Sequence, residues 1–241
     1  MMHVGICTPS SASVKATYCA SLLGMVTHFL NNVVVGREEE PRSCMYDLII
    51  GSNISAQREQ LVDDVLRDPG MTHVLFIDDD MGFRGDCLNL ALSRRLPIVL
   101  ANYRRKASPW EFTARRMDGG RAIEVPTNAG QQGLEEISFG GFGFALIETQ
   151  VIRKLVKPRF LCRWIEHQQL YSTEDYPFFQ AIHDAGLAKV YVDHDLSHRV
   201  FHIGDFAFKH DMVPTVTPRT PAWQEMKGFK DTDQSSMEIS S

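Results

Sequence analysis

The chain has no run of apolar residues approaching the roughly 20 needed to cross a bilayer. Its N-terminus also lacks a basic segment followed by an apolar core, so neither a membrane anchor nor secretion is expected. Cysteines are few. Cys7, Cys19, Cys44, Cys87 and Cys162 include no pair at zinc-ligand spacing, and their odd number argues against a complete disulfide framework. A reducing cytoplasm is the expected compartment. Nor is there a surplus of positive charge: the net charge is -5 and the pI about 6.0, which excludes a general polyanion-binding surface. The distribution is uneven, however. Between Arg94 and Arg121 eight basic residues face only Glu111 and Asp118, a local excess of six that leaves the rest of the chain at minus eleven.

The 241 residues suffice for one large α/β domain. Strand-like and helix-like segments alternate, which predicts a mixed, mostly parallel sheet flanked by helices. Residues 3–8 read as a first strand broken by Pro9-Ser10-Ser11, and residues 14–30 as an amphipathic helix. A second strand over 47–51 leads through Ser52-Asn53 into a helix over 55–67, with Arg58 in its first turns, where a cation opposes the helix dipole. Such a placement fits either a phosphate- or base-binding role or a surface salt bridge. A helix over 87–92 and a strand over 97–101 follow. From 102 to 133 the regular pattern fails, and Tyr103, Trp110 and Phe112 interleave with Arg104, Arg105, Lys106, Arg115 and Arg116. Aromatics among basic residues can stack on bases or sugars while holding phosphates; they can equally pack on the core and leave their charges solvated. Domain limits are read as 1–208, with 209–241 an irregular tail, polar enough at 231–241 to be disordered.

The most informative stretch is Val74-Leu75-Phe76-Ile77-Asp78-Asp79-Asp80-Met81. Four apolar residues predict a strand buried on both faces, and the acids begin where it should end, the end at which open α/β sheets bind ligands. Alternation puts Asp78 and Asp80 on one side, so two hard oxygen donors can converge on one divalent cation. The competing reading is a cluster of solvated acids in a turn. Downstream, Phe139-Gly140-Gly141-Phe142-Gly143-Phe144 joins glycines to an apolar strand, permitting close approach of a ligand or a neighbouring chain segment. Thr149 reads as the N-cap of a helix reaching Val156, and Thr173 as that of a helix with Glu174 and Asp175 in its first positions, where the acids favour the dipole. In Leu196-Ser197-His198-Arg199-Val200-Phe201-His202-Ile203-Gly204, His198 and His202 compete as sources of an imidazole ligand.

In this order the motifs resemble a glycosyltransferase of the A-type fold, similar to the family 2-like enzymes of bacteria and their viruses, over roughly residues 4–204. The resemblance implies that Asp78 and Asp80 hold Mn2+ or Mg2+ and that His202, in His-Ile-Gly, completes the metal shell. It implies that Thr8, Pro9, Asn53, Arg58, Asp78, Asp79 and Tyr103 contact a nucleotide-sugar donor, with a UDP-sugar the family default. It implies that Glu174 and Asp175 supply the catalytic base, more often the second acid. For a viral member the compartment would be the host cytoplasm. The acceptor is open: a hydroxymethylated pyrimidine in DNA, held through Arg104, Arg105, Lys106, Arg115 and Arg116 and swung out of the duplex, or a glycan, lipid-linked sugar or protein side chain. Two other classes compete. Haloacid dehalogenase-like phosphatases also place Asp-x-Asp after an apolar strand, but near the N-terminus and with Thr or Val where this chain has Gly82; a non-catalytic nucleotide- or sugar-binding module is the other.

Overall fold

The computed structural model describes residues 1–106, 110–166, 169–204 and 207–208. In chain order the elements are β1 (Met2–Ser10), α1 (Ala16–Asn31), β2 (Arg42–Ile50), α2 (Ile54–Leu66), β3 (His73–Ile77), β4 (Met81–Phe83), α3 (Cys87–Ser93), β5 (Ile98–Leu100), β6 (Arg115–Asp118), β7 (Arg121–Glu124), β8 (Leu134–Ile137), β9 (Phe144–Glu148), α4 (Thr149–Ile152), β10 (Trp164–Ile165), β11 (Leu170–Tyr171), α5 (Asp175–Asp184), β12 (Val190–Asp193), α6 (His194–Ser197), β13 (Val200–Ile203) and β14 (Ala207–Phe208). The tail expected over 209–241 lies outside the described residues.

A seven-stranded sheet runs in the order β2-β1-β3-β9-β5-β12-β8. β2, β1, β3, β5 and β12 point one way, whereas β9 is antiparallel to both its neighbours and β8 antiparallel to β12. The sheet is therefore mostly parallel and Rossmann-like, as the alternation of elements predicts. Every residue of β3 is buried, and its side chains divide between two apolar layers. Val74 and Phe76 join Leu61, Val62 and Val65 of α2 and Phe178, Phe179 and Ile182 of α5. Leu75 and Ile77 face the other way, onto Tyr18, Met25 and Phe29 of α1 and Leu88, Ala91 and Leu92 of α3. Burial of this kind on both faces, at about 25 cal/mol per Å2 of apolar surface, is what holds the acidic turn after β3 in place.

Three local expectations are corrected. Thr149 is the first residue of α4 and not its cap: its hydroxyl donates to the Met71 carbonyl at 2.7 Å, tying α4 to the amino end of β3, and the helix ends at Ile152, short of Val156. Thr173 does not cap α5, whose N-cap is Glu174; the Thr173 hydroxyl bonds the Asp175 carboxylate. The stretch 102–133 is not wholly irregular, because β6 and β7 pair as a hairpin closed by Gly119 and Gly120. Both glycines have positive φ, 53° and 80°, as a two-residue turn of this twist demands.

Candidate functional site

The acidic turn is framed by two layers. β4 continues from it and pairs antiparallel with β13, setting His202 opposite Met81, and the Ile203 amide donates to the Asp80 carbonyl at 2.7 Å. That register separates the two histidines. His202 is brought to Asp80, its Nε2 3.3 Å from Oδ1, whereas His198 caps α6 and its Nε2 bonds the Gln131 carbonyl at 2.7 Å.

Beside the turn lies a cleft of about 250 Å3 lined by Pro9, Ser10, Ser11, Gly51, Ser52, Ile54, Gln57, Asp78, Asp79, Asp80 and His202. It opens at the carboxyl ends of β1, β2 and β3, where a parallel sheet presents its ligand-binding edge. Ser10 Oγ donates to Asp79 at 2.6 Å, and Gln57 Nε2 donates to the carbonyls of Ser10 and Ile49 at 2.7 and 2.6 Å, fixing the cleft's far wall. Asn53 caps α2, its side chain accepting from the Ala56 amide at 3.1 Å. Thr8 is fully buried, bonded to the Tyr18 hydroxyl at 2.5 Å, so it supports the wall from behind while Pro9 lines it.

Arg58 is neither on the surface nor free. It is 2% exposed, with Nη2 2.8 Å from Asp78 Oδ1 and Nε 2.9 Å from Glu174 Oε1, and its guanidinium lies over Phe142 and Phe76 at 4.7 and 5.5 Å. It bridges α2, the end of β3 and the start of α5, and so ties Asp78 and Glu174 together. The bridge leaves Asp175 as the member of the acidic pair without an arginine partner; burial, then Glu174 nearby, push its carboxyl above the usual range. Tyr103 is buried at the head of the excursion. Its hydroxyl accepts from the Gly143 amide at 2.8 Å, and its ring meets His202 edge-on at 5.3 Å. A Cβ at Gly141 or Gly143 would come within 2.3 or 2.5 Å of the Tyr103 hydroxyl, so these glycines admit a tyrosine from the neighbouring segment.

The site's electrostatics centre on Asp80. Burial raises its carboxyl, but His202 and the Lys106 ammonium, which donates to Oδ2, outweigh that and hold it at about 2. Oδ1 remains buried with no hydrogen-bond donor among the described residues. His202 Nδ1 lies 3.0 Å from the Arg104 carbonyl, which can only accept, so Nδ1 carries a proton and Nε2 is turned toward Asp80 Oδ1 at 3.3 Å. A carboxylate oxygen and a ring nitrogen so placed can be joined by a proton on Nε2 or by a cation between them. Two adjacent donors on an octahedral Mg2+ or Mn2+ stand about 3 Å apart, so the pair fits such an ion, and such ions take one or two protein carboxylates with substrate phosphates and water completing the shell. No group of three or more His, Cys, Asp or Glu among the described residues is already arranged to hold a metal. Asp78 is turned onto Arg58.

The basic excursion is largely used internally. Arg104 lies over Phe112 at 4.2 Å and donates to the Trp110 carbonyl, Arg115 pairs with Glu111 at 2.5 Å, and Arg116 with Glu135 at 3.3 Å. Sequence reasoning missed Gln57 and Ser10, and read Lys106 only as part of a basic surface and not as the partner of Asp80; these roles depend on contacts across 47, 69 and 26 residues of chain. Only the serine had a signal, its place in the Pro-Ser-Ser break after β1.

No protein-family model matches the chain, and no curated protein matches it. Among solved structures it is similar to A197 from STIV, with a TM-score of 0.57 and 17% identity over 91% of this chain and 100% of that one, a likeness of fold. A weaker likeness, TM-score 0.45 and 10% identity over 84% of this chain and 96% of the other, is to a nucleoside-diphosphate-sugar pyrophosphorylase from Vibrio cholerae RC9. Among the described residues no helix is long and apolar enough to cross a membrane.

Proposed function

We propose that this protein is a metal-dependent glycosyltransferase of the A-type fold, moving a sugar from a nucleotide-sugar donor to an acceptor hydroxyl. The observation that carries this reading is the convergence of Asp80 Oδ1, buried and without a hydrogen bond among the described residues, and His202 Nε2, 3.3 Å away, at the mouth of a cleft. When bound, Mn2+ or Mg2+ would neutralise the departing diphosphate. The chain's own groups do the rest. Asp80 and His202 hold the cation; Pro9, Ser10, Asn53 and Asp79 border the nucleotide; Arg58 orients Asp78 from behind. Asp175 takes the proton of the acceptor hydroxyl as that oxygen attacks the anomeric carbon, and the electron pair of the breaking bond leaves with the diphosphate. A base with a raised pKa suits the task, since its proton affinity lies closer to the working pH. Glu174, bound to Arg58, serves to position and not to accept the proton.

The test is incubation with a panel of sugar nucleotides, Mn2+, and glycan, protein or hydroxymethylated-DNA acceptors, read by mass spectrometry. A mass increment of one sugar on one acceptor class supports the reading. Free phosphate released from phosphoesters, with no sugar moved, points to the phosphatase class instead. Replacement of Asp175 by Asn should lower kcat by about 10^2 to 10^4, and in the wild type kcat/KM should fall with decreasing pH at a higher pH than an ordinary carboxylate would give.

A further inference from the structure

We propose that Lys106 is a built-in counter-cation that competes with the divalent ion for Asp80, so that metal binding must expel its ammonium. The inference rests on the metal reading above and goes beyond it. The two oxygens of Asp80 are unequally served: Oδ2 accepts from the Lys106 ammonium, while Oδ1 has no hydrogen bond among the described residues and faces His202 Nε2 at 3.3 Å. A divalent ion bound at Oδ1 and His202 Nε2 would sit a few ångströms from that ammonium, in a setting where burial weakens screening. Like charges so close cannot both be held at full strength by one carboxylate.

Lys106 is suited to leave. Its side chain is 34% exposed and Asp80 is its ion-pair partner, in contrast to Arg58, which is 2% exposed and fixed by two carboxylates. It lies two residues beyond Arg104, whose carbonyl fixes the His202 proton, so the segment that sets the tautomer of one metal donor also carries the cation seated on the other. The carboxylate is thereby neutralised before the ion arrives, at the expense of affinity for the ion alone. A released ammonium would stand beside the cleft, where the diphosphate of the donor is expected.

The experiment is isothermal titration of MnCl2 alone into wild type, Lys106→Met, Lys106→Arg and Asp80→Asn, each checked for folding by its melting temperature. Lys106→Met should bind Mn2+ at least about tenfold more tightly than wild type, Lys106→Arg as wild type, and Asp80→Asn not at all. Equal binding by wild type and Lys106→Met overturns the competition and leaves the metal site standing. Tighter binding by both Lys106 variants, or weaker binding by Lys106→Met, overturns it too. Absence of Mn2+ binding from all four, including folded Lys106→Met, overturns both the competition and the metal reading.

Discussion

At the amino end of β3, His73 Nδ1 lies 2.8 Å from the Thr72 hydroxyl, that hydroxyl donates to the His3 carbonyl at 2.9 Å, and Thr149 donates to the carbonyls of Met71 and Thr72. Five residues later, at the carboxyl end, three acids follow one another, and Asp80 Oδ1 and Arg58 Nη1 are buried without a hydrogen-bond partner among the described residues. The same apolar layers cover both ends. Buried polar groups are ordinarily paired, so atoms left open in one region of an otherwise satisfied element mark where something else is to be bound. One end of the strand is built for stability; the other accepts a standing electrostatic cost.

The largest expected effect breaks the comparison at its functional end. Replacing Asp80 by Ala should abolish sugar transfer, a loss of several kcal/mol of transition-state stabilisation or about a thousandfold and more, while the variant still folds, with a melting temperature lowered only by loss of the pair with the partly exposed Lys106. Turnover that persists in this variant would sink the assignment of Asp80.

Arg58 sharpens the comparison from the other direction, since it belongs to the site by position but to the core by burial. Replacement by Met should cost about 3–5 kcal/mol of stability, read by urea unfolding, because Asp78 and Glu174 would be left as close, partly buried charges without a counter-ion. An unchanged midpoint would show that the bridge is not structural.

At the amino end the expected effect is on pH dependence. Burial, then Arg37, depress the His73 pKa from 6.5 to about 4. The folded state thus binds fewer protons than the unfolded chain between these values. Its stability is full above about 6.5, is lost as pH falls toward 4, and levels off below. The loss attached to His73 is about 3–4 kcal/mol at roughly 1.4 kcal/mol per unit. The His73→Gln variant should show a flatter stability profile over that interval, measured by unfolding at each pH.

The difference between the two ends also explains what could be read from residues alone. β3 was legible because Val74 to Ile77 are all apolar and the acids begin abruptly; α2 was legible by periodicity, whereas the capping role of Asn53 emerges only from the structure. His202 could not be separated from His198, because the choice depends on the antiparallel register of β13 on β4, a pairing across more than a hundred residues. Arg58 was noticed for its awkward place on the dipole, but its burial depends on Phe76, Phe142 and Glu174, which local pattern does not bring together. The β6–β7 hairpin did carry a local signal, Asp118-Gly119-Gly120-Arg121, obscured by the surrounding arginines.

The smallest effect concerns the joint between core and site. Tyr103 reaches from the excursion under the glycine strand, and its hydroxyl serves the buried Gly143 amide at 2.8 Å while its ring abuts His202. Tyr103→Phe keeps the ring and removes the acceptor, leaving that amide unpaired at a cost of about 1–2 kcal/mol. Gly143→Ala attacks the same joint by crowding, since its Cβ would lie 2.5 Å from the tyrosine hydroxyl; overpacking of this kind costs about 1–3 kcal/mol. If both changes act by displacing one ring, the double variant Gly143→Ala/Tyr103→Phe should be less destabilised than the sum of the two, as expected of residues in contact. Strict additivity in unfolding measurements would mean that the glycines are needed for the strand itself and not to admit the tyrosine, and the link from the sheet to His202 would then have to run through β13 alone.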